Sequence, residues 1–345
     1  GDIVLAYSAG ISPRSRRTED MLLYFVWKLM SMQGKPFDVE RDYDFYTLKA
    51  LFYEQLDIVR QDNNIIVMVD SVDRFASAPY SESISWFPVN MENCTGLVTV
   101  TDEKVSLIEK VQSRQIDFIK LEPLSIGDAT LIIENYSLKF HGKKFYTPVK
   151  DALLEKKVTD DRYAFQSPLW LKLAVNIFLT FDKYDFDSLK SVQGTEEEKI
   201  LRYMLNMVEE LPPDVGQIFR YQLKRAGRDF GEAYVQELFM YLAVSHNGLT
   251  EYDLVLLLSG RFDELKFASL RRMFLDLLVE TGENKRWSLS HPLLKSSILS
   301  GTGAGALSDI HHELVDKLWG QPVYSITRMY EIPYSLLHIN DIDRL

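Results

Sequence analysis

The spacing of hydrophobic residues in the first third of this chain predicts strands that alternate with helices. Residues 65–69 are all apolar, which predicts a β-strand buried on both faces, as in a parallel sheet covered by helices. Further strand patterns lie at 3–9, 96–101 and 118–121. Apolar residues at three- or four-residue spacing separate these strands and predict helices. We therefore expect an α/β fold with a right-handed, largely parallel sheet.

A helical pattern replaces the strand pattern after Ser125. Ser125 and Asp128 have the spacing of a capping box at a helix N-terminus, and helical periodicity then continues to about residue 230. Three further helical patterns, near 232–245, 250–259 and 265–276, precede two short strand patterns. Three helices followed by a hairpin are typical of a winged-helix domain.

These patterns divide the chain into four parts. The expected parts are an α/β core at 1–123, an all-α helical domain at 124–230, a winged-helix domain at 231–302 and a helical linker at 303–345. A chain of 345 residues is too long for one typical core, so several domains are the natural expectation.

Composition and charge narrow the class of protein. The net charge of −11 argues against a broad electrostatic surface for nucleic acid. Cys94 is the only cysteine, which excludes an internal disulfide or a thiolate metal cage and suits a reducing compartment. The sequence has no apolar run of about 18 residues and no visible signal peptide. We expect a cytoplasmic protein that does not enter a membrane.

Two acidic residues, Asp70 and Asp73, follow the apolar strand at 65–69. Ligands of open parallel sheets bind outside the carboxyl ends of the strands, so both acids are expected to face a crevice. The pattern is that of a Walker B strand, in which the first acid holds Mg²⁺ and the second orients or deprotonates the attacking water. An acid at a strand end also begins ordinary turns and helix caps, so the two acids alone leave both interpretations open.

Several separated stretches, in order along the chain, resemble the nucleotide-binding module of STAND ATPases, in the NACHT-like or NB-ARC-like branch that precedes TPR or WD40 repeats. The segment 69–74 is similar to the Walker B strand of that family, and 85–88 is similar to its tryptophan-proline turn. Residues 167–174 resemble the proline motif that lies against the adenine. The remaining similar stretches are 4–20, 121–125, 246–254, 289–293 and 330–337.

This resemblance implies a P-loop NTPase-type parallel sheet, followed by an all-α helical domain and a winged-helix domain. It also implies ATP or ADP with Mg²⁺ as the bound cofactors. Asp70 is then the Mg²⁺ ligand and Asp73 the acid that orients water. Pro168 contacts the adenine, and His291 reaches the β-phosphate of ADP and holds the closed state.

Two features depart from the family pattern. The P-loop, which ends Gly-Lys-Ser/Thr and surrounds the phosphates, is missing from the 345 residues, so we expect it just before Gly1 in a longer polypeptide. At the sensor position the family has an Arg where this chain has Asp102. An acid cannot contact a γ-phosphate as Arg does, so Thr101 or Lys104 would have to substitute, or hydrolysis is slow.

The function implied by the resemblance is a switch that holds ADP at rest and ATP when activated. C-terminal repeats outside this chain would capture a trigger protein, and the module would then form a homo-oligomer that gathers N-terminal effector domains. In bacteria such proteins recognise phage proteins in antiviral defence, and in animals they act in innate-immune-type signalling. A non-hydrolysing signalling scaffold and a winged-helix transcription regulator remain as alternatives.

Simpler roles compete with several of these assignments. Pro168 follows Ser167 and has the position of a first helical residue after a cap, and His291 precedes a proline at a predicted helix start. His311 and His312 are adjacent and lack metal-site spacing, which predicts a surface pair. The basic clusters of the predicted winged helix are Arg271-Arg272 and Lys285-Arg286, which favours an internal lid over DNA binding.

Overall fold

Parallel strands and helices alternate in the first third of the protein. The computed structural model describes residues 1–10, 14–75, 84–89, 91–101, 104–114, 116–139, 145–180, 183–189, 193–281 and 284–345. Within these residues the chain forms two compact units, Gly1–Leu121 and Glu122–Leu345. The predicted α/β class is confirmed, with a parallel sheet in the first unit and mainly helices in the second.

The sheet of the first unit has β2 at its centre. Its strands are β1 (Asp2–Ser8), β2 (Asn64–Asp70) and β3 (Cys94–Val98). β2 pairs in parallel with β1 on one side and with β3 on the other. The helices of this unit are α1 (Thr18–Met32) and α2 (Phe45–Val59), which connect β1 to β2, and α3 (Val105–Ser113), which follows β3.

One face of this sheet is open, so the prediction of a strand buried on both faces is wrong. Val67 and Val69 of β2 are at most 1% exposed and share a hydrophobic core with residues of α1 and α2. On the other face Val4, Met68 and Leu97 are 43%, 38% and 49% exposed. The sequence could not distinguish the two faces because both carry apolar residues.

The strand predicted at 118–121 does not form. Residues 116–125 contain no regular secondary structure, and Ile119 and Leu121 are 81% and 87% exposed. A strand needs a neighbour to satisfy its backbone hydrogen bonds, and β3 is the last strand of this sheet in the described part of the chain. β3 itself begins and ends earlier than the predicted range of 96–101.

The second unit begins with a helix whose cap was predicted. Ser125 Oγ accepts the N–H of Asp128 at 3.1 Å and donates to its carboxylate at 2.7 Å. A small antiparallel pair, β4 (Lys157–Thr159) and β5 (Arg162–Tyr163), interrupts the helices and was not predicted, because such short strands show no clear alternation. The helices are α4 (Ile126–Lys139), α5 (Thr147–Leu154), α6 (Pro168–Leu179), α7 (Lys183–Leu189), α8 (Glu196–Glu210) and α9 (Val215–Phe230).

Helices and a hairpin follow near the predicted positions. They are α10 (Glu232–Val244), α11 (Glu251–Leu257), α12 (Glu264–Met273) and the antiparallel strands β6 (Leu278–Thr281) and β7 (Arg286–Leu289). The final helices are α13 (Pro292–Leu299), α14 (Ala304–Leu318) and α15 (Ile326–His338). One hydrophobic core contains residues from α4 to α15, so the boundaries at 230 and 302 stay predictions. None of the described helices combines the length and apolar character needed to cross a bilayer.

The buried side chain of Glu331 connects α15 to the loop after α10 through hydrogen bonds. Glu331 is fully buried, and its oxygens accept the backbone N–H groups of His246 and Asn247, both at 2.7 Å. Burial raises the pKa of Glu331 to about 7, against the opposing effects of these two bonds and of the charges on Arg286 and Lys295. The carboxylate therefore changes its charge close to neutral pH.

His311 packs in the same region, so the prediction that both adjacent histidines lie on the surface is wrong for this one. Its Nδ1 lies 3.1 Å from Ser335 Oγ, and its ring stacks on His338 with centroids 4.8 Å apart. Burial lowers the pKa of His311 to about 4. Adjacent helical side chains point about 100° apart, so His312 is exposed while His311 faces the core.

The raised pKa of Glu331 predicts that the free energy of unfolding falls as the pH rises. The native state keeps the Glu331 proton up to about pH 7, whereas an unfolded glutamate releases it near 4.5, so the contribution of this group is lost across that interval. Relative to Glu331→Gln, the wild-type free energy of unfolding should fall by up to about 3 kcal/mol between these pH values. Urea unfolding at a series of pH values measures this difference.

The control for this experiment is Glu196→Gln, which removes an exposed glutamate that pairs with Lys199 at the surface. Both the wild type and Glu331→Gln contain His311, whose lowered pKa has the opposite effect on stability, so that effect cancels in the comparison. Parallel pH profiles for the wild type and Glu331→Gln would contradict the prediction.

Candidate functional site

Polar side chains gather at the carboxyl end of the sheet. Ser8 and Asp70 are the last residues of β1 and β2 and are paired in register. Thr99 follows β3 directly. Because side chains alternate between faces, Ser8 and Asp70 share the open face with Met68. The site is therefore a row of polar side chains at the carboxyl ends of the strands, next to the exposed apolar residues of the open face.

The Asp70 carboxylate is held by hydroxyl groups from each strand end. Among the described residues, Thr99 Oγ1 donates to Oδ1 at 2.5 Å, while Ser8 Oγ and Ser71 Oγ donate to Oδ2 at 3.0 and 3.2 Å. The hydroxyl bonds, with that of Thr99 the strongest, lower the pKa of Asp70 in spite of partial burial. Asp70 is therefore an ionised, oriented carboxylate at neutral pH.

The backbone turn after β2 has an uncommon conformation. Ser71 has φ 59° and ψ 48°, the left-handed region that non-glycine residues rarely adopt and that costs of order 1–3 kcal/mol. Its N–H donates to Thr99 Oγ1 at 2.8 Å, and the N–H of Val72 donates to the Thr99 carbonyl at 3.0 Å. These bonds to Thr99 offset the strain and place the following acid.

That acid is Asp73, in the 3₁₀ turn Val72–Arg74. Its carboxylate oxygens accept the N–H and the hydroxyl of Thr101, both at 3.3 Å. Thr101 was predicted to contact a nucleotide phosphate, and in this structure it holds Asp73. Asp102, the residue at the sensor position, lies outside the described residues.

A cavity of about 420 Å³ opens beside these groups. Its lining combines apolar side chains of the open face, including Met68 and Leu97, with Ser8, Asp70 and Thr99. Carboxylate and hydroxyl oxygens are ligands that Mg²⁺ accepts. The described residues contain no group of three or more His, Cys, Asp or Glu side chains arranged for a metal, so a metal at Asp70 would take further ligands from water or from phosphate.

The aromatic turn 84–87 fixes the position of β3. Trp86 is fully buried and lies edge-on to Phe75, with ring centroids 6.2 Å apart. A Cβ at Gly96 would lie 2.2 Å from the Phe87 ring, so only glycine allows β3 to approach this turn. The turn therefore supports the strand that leads to Thr99.

The remaining predicted site residues, Pro168 and His291, lie in the second unit at helix starts. Pro168 is the exposed first residue of α6, after Ser167, whose Oγ accepts the Trp170 N–H at 3.4 Å. His291 caps α13, because its Nδ1 accepts the N–H of Leu293 at 3.2 Å. The simpler structural role of each residue is therefore present, and a nucleotide contact stays a prediction.

Two of the four basic side chains in the clusters of the predicted winged helix are paired or buried. Arg271 pairs with Glu251 at 3.2 Å and stacks on Trp287, with the guanidinium carbon 4.8 Å from the ring centroid. Arg286 is 7% exposed. Arg272 and Lys285 are exposed, so the basic surface of the two clusters is reduced to these two side chains.

Sequence reasoning found Asp70 and Asp73 but missed Ser8, Ser71 and Thr99. Alternation along β3 could have placed Thr99 on the same face as Leu97. Ser8 required the register between strands 62 positions apart, which the sequence does not reveal. No protein-family model matches this sequence, and no curated protein matches it either.

The cap made by His291 gives a stability prediction. His291→Ala should lower the free energy of unfolding by about 1 kcal/mol, because the Leu293 N–H loses its acceptor. His291→Asn should stay close to the wild type, because asparagine is a good N-cap residue. Urea unfolding of the 345-residue chain measures both variants, and equal destabilisation by Ala and Asn would show that the cap is not what His291 contributes.

Proposed function

We propose that this chain is the central nucleotide-binding and oligomerisation switch of a STAND-class ATPase. The observation that carries the proposal is the ionised Asp70, held by hydroxyl groups at the carboxyl end of a central parallel strand. In open α/β sheets this is where nucleotides bind. Asp70 would be the Mg²⁺ ligand, and Asp73 would orient the attacking water.

The proposed switch would consist of a P-loop NTPase-type sheet, an all-α helical domain and a winged-helix domain. The order of helices and strands along the chain supports this proposal. Three features of the first unit support an additional strand and helix beside β3. The edge of β3 carries no further strand within the described residues, Leu97 and Met68 are exposed on the open face, and Ile119 is 81% exposed.

The phosphate-binding loop would have to come from polypeptide outside the 345 residues, because none of them forms a Gly-Lys-Ser/Thr motif. A P-loop strand paired with β3 would bring backbone N–H groups and a Lys to the phosphates beside Asp70. The helix after that strand would cover the open face. ATP or ADP and Mg²⁺ are thus the cofactors of the proposed switch.

The second unit would report which nucleotide is bound. Pro168 would contact the adenine, and His291 would contact the β-phosphate of ADP in the resting state. Exchange for ATP would release the closed state and allow homo-oligomerisation in the cytoplasm. A trigger protein recognised by C-terminal repeats, and effector domains at the N-terminus, would be the partners in antiviral defence or innate-immune-type signalling.

A non-hydrolysing scaffold is the second candidate function. It is favoured by the hydrogen bonds between Thr101 and Asp73, because a Thr101 that binds Asp73 does not make the phosphate contact predicted for it. Asp102 in place of the family Arg favours it as well. A winged-helix transcription regulator finds less support, since Arg271 pairs with Glu251 and Arg286 is buried.

The paired acids predict the loss of hydrolysis. In the complete protein with its P-loop, Asp70→Asn and Asp73→Asn should each lower the rate of Mg²⁺-dependent ATP hydrolysis on the order of 100-fold or more, because each removes a charge that stabilises the transition state. Phosphate release measures the rate. Asp62→Asn, in the turn that precedes the same strand, is the matched control. Unchanged rates in both variants would refute the ATPase, and nucleotide binding without turnover in the wild type would establish the scaffold.

The proposed contact of His291 with ADP predicts altered nucleotide retention. His291→Asn preserves the cap of α13 and removes the imidazole, so it separates the structural role from the ligand role. Loss of one charge-assisted hydrogen bond costs about 1.5–3 kcal/mol, which should weaken ADP retention roughly ten- to a hundredfold. Bound-nucleotide analysis with size-exclusion chromatography should show less ADP and more oligomer without trigger. His312→Asn is the control. If His291→Asn retains as much ADP as the wild type, His291 does not contact the nucleotide.

A further inference from the structure

Thr99 makes two bonds whose directions are fixed by chemistry. The Ser71 N–H donates to Thr99 Oγ1 at 2.8 Å, so this hydroxyl oxygen is an acceptor there. Its one proton must then point toward Asp70 Oδ1, 2.5 Å away, because an ionised carboxylate can only accept. The Thr99 hydroxyl is therefore a one-way donor to Asp70.

The backbone of Thr99 is held on both sides of the same junction. Its N–H donates to the carbonyl of Val69 at 3.1 Å, and its carbonyl accepts the Val72 N–H at 3.0 Å. The side chain thus has a fixed anchor at the end of β3. Thr99 stabilises the strained turn at Ser71 and orients the carboxylate with the same oxygen atom.

Ser8 and Ser71 complete the arrangement on the other carboxylate oxygen. Both hydroxyls donate to Asp70 Oδ2, at 3.0 and 3.2 Å. A carboxylate has about four lone-pair sites, and these contacts within the described residues use two on Oδ2 and one on Oδ1. The lone pair that remains is on Oδ1.

We infer that Thr99 and Ser8 are positioning residues that present Asp70 Oδ1 as the single ligand atom for the divalent cation. This inference rests on the proposed function, which places Mg²⁺ at Asp70. It adds the residues that orient the Asp70 carboxylate toward the cation. Hydroxyl partners outside the metal shell commonly change metal affinity ten- to a hundredfold when they are removed.

The test uses Mn²⁺ as the probe, measured by electron paramagnetic resonance in the complete protein loaded with ADP. Thr99→Val and Ser8→Ala should each weaken Mn²⁺ binding about ten- to a hundredfold. Thr99→Ser retains the hydroxyl and should restore affinity close to the wild type. Thr95→Val is the matched control, because Thr95 is an exposed residue of β3 on the same face as Leu97, and Thr99 follows that strand.

The outcomes distinguish failure of the positioning role from failure of the proposed metal site at Asp70. Wild-type Mn²⁺ affinity in Thr99→Val, with binding lost in Asp70→Asn, would overturn the positioning role and leave the metal site intact. Equal weakening by Thr99→Val and Thr99→Ser would also overturn it, because the hydroxyl would not be the cause. Unchanged Mn²⁺ affinity in Asp70→Asn would refute the proposed metal site itself. Circular dichroism and thermal unfolding confirm that each variant is folded.

Discussion

The parallel pairing of β2 with β1 and β3 is the constraint on which the first unit depends. Register places Ser8, Asp70 and Thr99 at one edge, although Ser8 and Thr99 lie 62 and 29 positions from Asp70 in the sequence. A shift of one residue would turn Asp70 toward the covered face and move its hydroxyl partners away. The core formed with α1 and α2 prevents that shift, because it would expose Val67 and Val69. Hydrophobic packing on one face therefore fixes the chemistry on the other.

The open face is as informative as the buried one. Parallel sheets normally have both faces covered, whereas Val4, Met68 and Leu97 of this sheet are exposed. Asp70 lies at the end of this surface, where a covering helix would exclude water and strengthen its electrostatic interactions. In the proposed switch, the segment that brings the phosphate-binding loop would also supply that layer. Nucleotide binding and completion of the fold would then be coupled.

The sequence predicted the elements that depend on local pattern and missed what depends on register and burial. The strand before Asp70 and the cap at Ser125 follow from spacing alone, and both are confirmed. Met68 is as apolar as Val69, so the pattern could not tell which of them faces the core. The role of Thr99 needed the register of β3. Residues 118–121 have strand composition, but a strand forms only where a neighbour accepts its hydrogen bonds.

The capping role of His291 and the ligand role proposed for it would depend on the same geometry. Its Nδ1 accepts the Leu293 N–H, so in the neutral ring the proton resides on Nε2, and the capping bond also fixes the ring orientation. A donor nitrogen held in a fixed direction is what a phosphate contact requires. The capping bond uses Nδ1, whereas the proposed contact to ADP would use the other ring nitrogen. The same logic applies to Thr99, where one hydroxyl accepts from the strained turn and donates to Asp70.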